Sequence, residues 1–337
     1  MTERGIAFRR RWLLLAVPLL TVAATGTAGV AQAQTGRATA SLRPEQPQTD
    51  VPFPRGQSGL AYDTVNHVTL MFGGEYHGAI MNDTWAWNGT RWKLQFPARS
   101  PTPRSGEGMA YDAVRHKVVI FGGFGGGRYL MDTWTWNGRT WRKMVTPSAP
   151  RARANMGLVW DATRQVVVMF GGGTAAAIFN DTWTWDGTTW TQLSPATSPP
   201  KRSDMGMVYD QAHQQVVMFG GQAFSLFGDT WTWDGTNWTQ QHPSSSPGAR
   251  WGPGMGYDQV NQNVVLFGGE VLSGPLGDTW TWDGTNWTEQ FPAASPLPRF
   301  RFPMAWSPNN QVLLFGGNGA DVYGDTWSWD GSTWIQR

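Results

Sequence analysis

The feature that most constrains this chain is a block of 48 or 49 residues that recurs six times between residues 51 and 337. Each block holds an arginine, then a Gly-Gly pair that closes an apolar run, then an Asp-Thr-Trp triplet. The arginines are Arg55, Arg104, Arg153, Arg202, Arg250 and Arg299, and the triplets begin at Asp83, Asp132, Asp181, Asp229, Asp278 and Asp325. Six copies in one register indicate a single structural unit repeated along the chain.

Each block reads as four short strands. In the second block these are residues 108–112, 118–122, 132–136 and 140–144, and Asn137-Gly138 is a hairpin turn between the last two. Four antiparallel strands repeated radially make an all-β, six-bladed β-propeller. The predicted blades span about 51–99, 100–148, 149–197, 198–245, 246–294 and 295–337.

The pattern resembles the kelch repeat, as in the central domain of galactose oxidase: a Gly-Gly pair is followed by two aromatics at fixed spacing, here Trp85 and Trp92. One position departs from that pattern. Kelch copies often carry a histidine three residues after the arginine, where this chain has Ser58, Glu107, Met156, Met205, Pro253 and Phe302.

The blocks account for 18 of the 22 tryptophans. Trp85 and Trp87 lie two apart on a strand and therefore share a face. Residues repeated in every block serve a need present in every block, so we expect these tryptophans to pack between blades. The alternative is a set of sugar-stacking platforms.

The first 50 residues are predicted to lie outside the propeller. Arg9, Arg10 and Arg11, an apolar run, and Ala31-Gln32-Ala33 are typical of a signal peptide over 1–33, of the Sec type rather than the twin-arginine type. An uncleaved membrane anchor is the alternative. Residues 34–50 are predicted to be a disordered linker. We therefore expect a secreted or periplasmic protein that has no membrane segment after cleavage.

The net charge, the absence of cysteine and the spacing of the histidines narrow the classes of partner and cofactor. After cleavage the chain keeps 22 basic and 23 acidic residues, so no overall charge points to nucleic acid. The kelch resemblance points to radical copper oxidases as one class of enzyme with this fold. Their cofactor is a tyrosine cross-linked to a cysteine, and the absence of cysteine from this chain excludes it. His67, His77, His116, His213 and His242 show no clustered ligand spacing. We expect neither a metal nor another cofactor.

The six arginines begin the first strand of each blade, and we expect them to ring the mouth of the central channel. The resemblance to kelch domains that bind acidic peptides implies a binding role for them. The alternative is that each arginine pairs with the aspartate of a nearby Asp-Thr-Trp. We expect some of them to be paired and others to be free.

The loops between the second and third strands vary, and recognition usually resides in variable loops on a rigid scaffold. Their aromatic and charged residues are binding candidates, together with Trp251, which has no counterpart in the other blocks; the alternative is ordinary surface loops. The candidates are Tyr76, His77, Arg128, Tyr129, Phe224, Trp251, Glu270 and Tyr323.

Glu107, Asp204 and Arg301 follow the arginines at unshared positions and are candidates for an acid–base pair. Their clustering in one pocket would favour a sugar-modifying enzyme, such as the sialic-acid epimerases of kelch-like fold. We favour a monomeric binding module for an extracellular peptide, protein or glycan over that enzyme, and over a structural adaptor in an envelope assembly.

The repeats are in phase, so each blade can form from one contiguous block. We expect the ring to close by packing of residues 327–334 in blade 6 against residues 70–72 in blade 1. Residues 46–51 could pair with the exposed edge of the last blade.

Overall fold

The computed structural model describes residues 51–337. These residues form six four-stranded antiparallel sheets in which neighbouring strands follow the chain order. The predicted all-β, six-bladed propeller is confirmed. The proposed signal peptide and linker lie outside the described residues. Within residues 51–337, no helix is long and apolar enough to cross a bilayer.

Strands A to D of each blade are numbered along the chain, together with two short hairpins. Blade 1 contains β1 (Gly59–Asp63), β2 (Val68–Phe72), the hairpin β3 (Glu75–Tyr76) and β4 (Ala79–Ile80), β5 (Thr84–Trp87) and β6 (Trp92–Gln95). Blade 2 contains β7 (Gly108–Asp112), β8 (Lys117–Phe121), the hairpin β9 (Phe124–Gly125) and β10 (Arg128–Tyr129), β11 (Thr133–Trp136) and β12 (Trp141–Lys143). Blade 3 contains β13 (Gly157–Asp161), β14 (Val166–Phe170), β15 (Thr182–Trp185) and β16 (Trp190–Leu193).

The last three blades repeat this order. Blade 4 contains β17 (Gly206–Asp210), β18 (Gln215–Phe219), β19 (Thr230–Trp233) and β20 (Trp238–Gln241). Blade 5 contains β21 (Gly254–Asp258), β22 (Asn263–Val271), β23 (Gly274–Trp282) and β24 (Trp287–Gln290). Blade 6 contains β25 (Met304–Ser307), β26 (Gln311–Asn318), β27 (Val322–Trp329) and β28 (Trp334–Gln336).

The A strands are innermost and contact one another around the axis, β25 and β1 included. A glycine at the start of the A strand allows this approach in five blades. A Cβ added to Gly157 would lie 2.4 Å from the Met207 sulfur of the next blade, well inside van der Waals contact. Because the strands of each sheet are antiparallel, the B–C and D–A connections lie at one end of the channel, and the A–B and C–D turns lie at the other.

The apolar core is divided into six clusters, each shared by two adjacent blades. The strand-D tryptophan of each blade packs against the preceding blade. Trp190 of blade 3, for example, lies edge-on to Phe121 of blade 2 at 5.1 Å and donates its indole N–H to Thr133 Oγ1 at 2.9 Å. The expectation that the repeated tryptophans pack between blades is confirmed. Burying one indole contributes up to about 4–6 kcal/mol.

The ring closes without a strand shared between blades, as predicted, but hydrogen bonds accompany the packing and the residues differ from those predicted. Trp92 of blade 1 packs on Phe315 of blade 6 and donates to Thr326 Oγ1 at 2.9 Å. The predicted contact of residues 327–334 with residues 70–72 is wrong, because Trp329 and Trp334 pack against blade 5. Each blade turns its tryptophans toward the blade before it, so blade 1 supplies the tryptophans of the closing junction. The predicted pairing by residues 46–51 falls almost wholly outside the described residues.

Candidate functional site

The six repeated arginines are buried inside their blades. Each guanidinium gives two hydrogen bonds to the aspartate of the Asp-Thr-Trp in the same blade, one to the first glycine carbonyl of the Gly-Gly pair, and one to the carbonyl two residues before itself. In blade 3, Arg153 Nη1 and Nη2 lie 2.5 and 2.8 Å from the two Asp181 carboxylate oxygens. The other pairs are Arg55–Asp83, Arg104–Asp132, Arg202–Asp229, Arg250–Asp278 and Arg299–Asp325.

The expectation that some of these arginines are free is wrong. Their side chains are at most 3% exposed, and none of them uses a loop acid such as Glu75 or Glu270 in place of its aspartate. Burial alone would raise the pKa of Asp181, but the hydrogen bonds and charge of Arg153 and the bond from Trp183 outweigh it and hold that pKa below its usual value. This intra-blade ion pair, in which all three guanidinium nitrogens donate hydrogen bonds, braces the B–C connection.

Two residues after each arginine, the main chain forms a closed ring around the channel mouth. Each backbone N–H in this ring donates to the carbonyl of the equivalent residue in the preceding blade, at 2.7–2.9 Å. The six members are Gln57, Gly106, Asn155, Asp204, Gly252 and Arg301, and all of them have positive φ. Because the ring is continuous, the side chains on it are held on a rigid rim.

The ring brings Asp204 and Arg301 together. Gly252 lies between them and has no side chain, so Arg301 Nε reaches Asp204 Oδ1 at 2.8 Å across an entire blade. Gln222 donates to the other oxygen of Asp204 at 3.1 Å. The side chain of Asp204 is 3% exposed and that of Arg301 26%, which leaves part of the guanidinium open at the mouth.

Aromatic rings and a second acid surround this ion pair. Arg301 lies 4.6 Å from the centre of the Trp251 ring, and Phe300 meets Trp251 edge-on at 4.8 Å. Burial raises the pKa of Glu270 and the nearby charge of Arg301 partly offsets that rise. We name Asp204, Gln222, Trp251, Glu270, Phe300 and Arg301 the mouth cluster. All except Asp204 are partly exposed.

The mouth cluster contains predicted and unpredicted residues. Asp204, Trp251, Glu270 and Arg301 are candidates from the sequence, whereas Gln222 and Phe300 are not. Phe300 occupies in blade 6 the position that Trp251 occupies in blade 5, directly after the repeated arginine. A comparison of the position after the arginine in all six blades would have identified Phe300 from the sequence.

Glu107 does not join the mouth cluster. It directly follows Gly106, the backbone-ring residue of blade 2, and precedes strand A. It faces blade 1, where Oε1 accepts a hydrogen bond from the Gly59 N–H at 3.3 Å. Its Oε2 is buried and has no hydrogen-bond partner within residues 51–337. Burial raises the pKa of Glu107 to about 8. The three acid–base candidates therefore do not form one site, and only two of them meet.

The remaining loop candidates are spread around the rim. Tyr76 meets Phe53 edge-on at 5.0 Å, and His77 Nε2 lies 3.4 Å from Asp321 of blade 6. Phe224 is 91% exposed and lies beneath Lys201 at 4.8 Å.

Other rim residues are used internally. Tyr323 covers the guanidinium of Arg299 at 4.3 Å, and Phe179 and Phe227 cover Arg153 and Arg202 in the same way. Tyr129 packs on Phe124 at 5.1 Å, while Arg128 is exposed beside it. These packed aromatics match the alternative of ordinary loops for part of the rim.

The opposite end of the channel carries the A–B turns. His67, His116 and His213 lie in these turns, and His213 Nδ1 lies 2.8 Å from Asp210 Oδ2. Across residues 51–337, no three His, Asp or Glu side chains come close enough to hold a metal ion.

Four-stranded blades, a Gly-Gly pair and tryptophans at fixed spacing define a kelch-type propeller. A family model described as the KLHDC2/KLHL20/DRC7 kelch-repeats domain matches residues 37–204 and 186–336. The chain belongs to the kelch-repeat family. No curated protein matches the chain. The solved structure titled "Structure of YjhT" shares the fold, with a TM-score of 0.66 and 16% identity over 86% of this chain and 99% of that one.

Proposed function

We propose that this chain is an exported kelch-type binding module that captures an extracellular polymer, foremost a peptide segment of another protein, at the mouth cluster. Kelch propellers commonly serve as protein-interaction modules. The signal-peptide pattern of residues 1–33 supports export to the periplasm or the outside of the cell.

The observation that carries this proposal is the ion pair between Asp204 and Arg301 beside Trp251. The scaffold does not require these side chains, because glycine occupies the ring position in blades 2 and 5, and serine or alanine replaces Trp251 in blades 2, 3 and 4. Partly exposed aromatic and arginine side chains in a rigid setting are the residues that dominate binding energy at protein interfaces.

The chemistry of the mouth cluster fits a peptide. The open edge of Arg301 suits a carboxylate or a peptide carbonyl, and Glu270 suits an amine or a backbone N–H. The partly exposed rings of Trp251 and Phe300 suit an apolar side chain. A glycan stacked on Trp251 is the second ligand class, and a screen separates the two.

The enzyme alternative is less favoured. It needs an acid–base pair in one pocket, and Glu107 lies apart from Asp204 and Arg301. The adaptor alternative predicts a flat contact surface instead of a concentrated cluster.

A peptide-library and glycan-array screen, followed by affinity measurements on the best ligand, tests the proposal. Arg301→Gly and Trp251→Ser place at these positions residues that other blades already carry, so the backbone conformation is kept. We expect each variant to weaken binding by about tenfold or more. Gln240→Ala, on the exposed outer strand of blade 4, is the control and should bind as the parent does. Unchanged affinity in both mouth variants would place recognition elsewhere.

A further inference from the structure

The near-zero overall charge of the propeller hides an uneven distribution of charge between blades 1 and 2 and blades 3 to 6. Residues 51–148, which form blades 1 and 2, contain eleven Lys and Arg against six Asp and Glu. Residues 149–337 contain nine against fifteen. Asp63, Asp83, Asp112 and Asp132 are all engaged in turns or ion pairs, so blades 1 and 2 present mainly positive charge to solvent.

Two grooves concentrate this charge away from the mouth cluster. One groove, of about 320 Å³, lies between blades 1 and 2 and is lined by Arg91 and Lys93. The other, of about 240 Å³, lies one blade further on and is lined by Arg115, Lys117 and Arg142. Each groove also exposes amide or hydroxyl side chains, Asn88 and Gln95 in the first and Asn137 and Thr140 in the second.

Four of these five cations, namely Arg91, Lys93, Lys117 and Arg142, have no basic counterpart in blades 3 to 6, whereas Arg115 recurs as Arg164 in blade 3. Lys93 and Arg142 occupy the position after the strand-D tryptophan, where blades 3, 4 and 5 have Thr191, Thr239 and Thr288. The residues opposite them on strand C are Ala86 and Thr135, so neither cation faces a carboxylate across the sheet. Among the ion pairs of residues 51–337, none involves Arg91, Lys93, Lys117 or Arg142.

A packing role for these cations would be repeated in every blade, as it is for the tryptophans. From the unpaired, same-register cations of two successive grooves, we infer that blades 1 and 2 form a second binding surface, for a linear anionic polysaccharide. Spaced cations match the regular carboxylate or sulfate groups of such a chain, and the Asn, Gln and Thr side chains suit its hydroxyls.

Single-stranded nucleic acid fits the grooves less well. Its recognition relies on exposed aromatic rings that stack on bases. The aromatic floors of these grooves, Trp136 and Trp185, are 3% and 0% exposed and leave no face for stacking.

The test measures affinity for heparin and polygalacturonate, with neutral dextran as the reference polymer, at about 0.15 M salt. The double variant Lys93→Thr/Arg142→Thr gives blades 1 and 2 the threonine of blades 3 to 5, which suits a strand. The parent should bind at least one of the two anionic polymers and should not bind dextran. Because one exposed charge pair contributes up to about fivefold, the double variant should bind about tenfold more weakly.

Arg151→Thr/Lys201→Thr is the matched control, since it removes the same charge from exposed positions of blades 3 and 4. It should stay within about twofold of the parent affinity. An equal loss of affinity in both double variants would mean that binding depends only on the net charge of the protein, and this would overturn the inference. Failure of the parent to bind either anionic polymer would overturn it too, as would tighter binding of a single-stranded DNA of equal charge number. The peptide screen at the mouth cluster is independent of all these outcomes.

Discussion

At the scale of single residues, Glu107 stands out because burial disfavours the ionised form of its carboxyl. The residue as a whole is 8% exposed, one carboxyl oxygen accepts a hydrogen bond from the Gly59 N–H, and the other is buried and has no partner within residues 51–337. Burial raises its pKa to about 8, above the usual 4.5. The folded protein therefore holds a proton on Glu107 at a pH where the unfolded chain has lost it.

This difference predicts a falling stability between pH 4.5 and about 8. Below that range both states are protonated and the folded state loses nothing. As the pH rises through it, ionisation favours the unfolded chain, and the cost approaches on the order of 4–5 kcal/mol at most. Glu107→Gln should remove this dependence, because the amide oxygen still accepts from Gly59 and does not ionise.

Chemical unfolding at several pH values measures this effect. The parent should lose stability from pH 5 to pH 8, whereas Glu107→Gln should lose less. Parallel curves for the two proteins would mean that Glu107 ionises normally in the folded state.

Single residues also show why the mouth cluster could be predicted only in part. In the sequence, Asp204 and Arg301 occupy equivalent positions of the repeat, two blades apart. Their contact depends on Gly252 leaving an empty space between them on a ring of six backbone hydrogen bonds. That ring is a property of the closed propeller and has no counterpart in the spacing of residues along the chain.

At the scale of strands, one side-chain hydrogen bond recurs at each of the six junctions between blades. The strand-D tryptophan donates to the threonine of the Asp-Thr-Trp triplet in the preceding blade, as Trp190 does to Thr133. Thr133 is 2% exposed and the Trp190 side chain is buried, so no solvent can replace a lost partner. This contact joins adjacent sheets, which share no main-chain ladder.

Thr133→Val keeps the shape and strand preference of the residue but leaves the indole N–H of Trp190 unpaired. We expect a loss of about 1–3 kcal/mol in the free energy of unfolding. Thr135→Val, two residues along the same strand and facing the outer groove, is the control and should change stability by less than about 0.5 kcal/mol. Equal effects in both variants would assign the loss to strand preference instead of the hydrogen bond.

Strand positions were the most predictable part of the fold. The expected strands of blade 2 agree with β7, β8, β11 and β12 to within about a residue. Repetition made this possible, because six copies of one pattern average out local irregularities. The ion-pair partner of each repeated arginine was harder to predict, because six arginines and six aspartates fit several pairings. Only the geometry of the folded blade shows that each arginine pairs with the aspartate of its own blade.

At the scale of the whole molecule, the closing junction is built like the other five. Arg55 N–H donates to Tyr323 and Gly317 N–H donates to the Arg55 carbonyl, at 3.0 and 2.9 Å, as equivalent atoms do at each junction. The backbone ring at the channel mouth also passes through this junction without a break, from Gln57 to Arg301. None of the six junctions of the propeller therefore lacks contacts that the others have. The free energy of unfolding should resemble a sum over equal interfaces between neighbouring blades.

Equal junctions predict that the position of the chain ends is interchangeable. At each of the five internal junctions, eleven residues separate the strand-D tryptophan from the next arginine, as 93–103 separate Trp92 from Arg104. Joining Arg337 directly to Val51 would leave seven, so a four-residue Gly-Ser linker restores the spacing. New ends between Pro195 and Ala196 fall in the exposed connection of blades 3 and 4. We expect this circular permutant to melt within about 5 °C of residues 51–337 with the original ends. A much lower melting temperature would show that the junction of blades 1 and 6 tolerates a chain break that the other junctions do not, and that the ring is less symmetric in energy than in geometry.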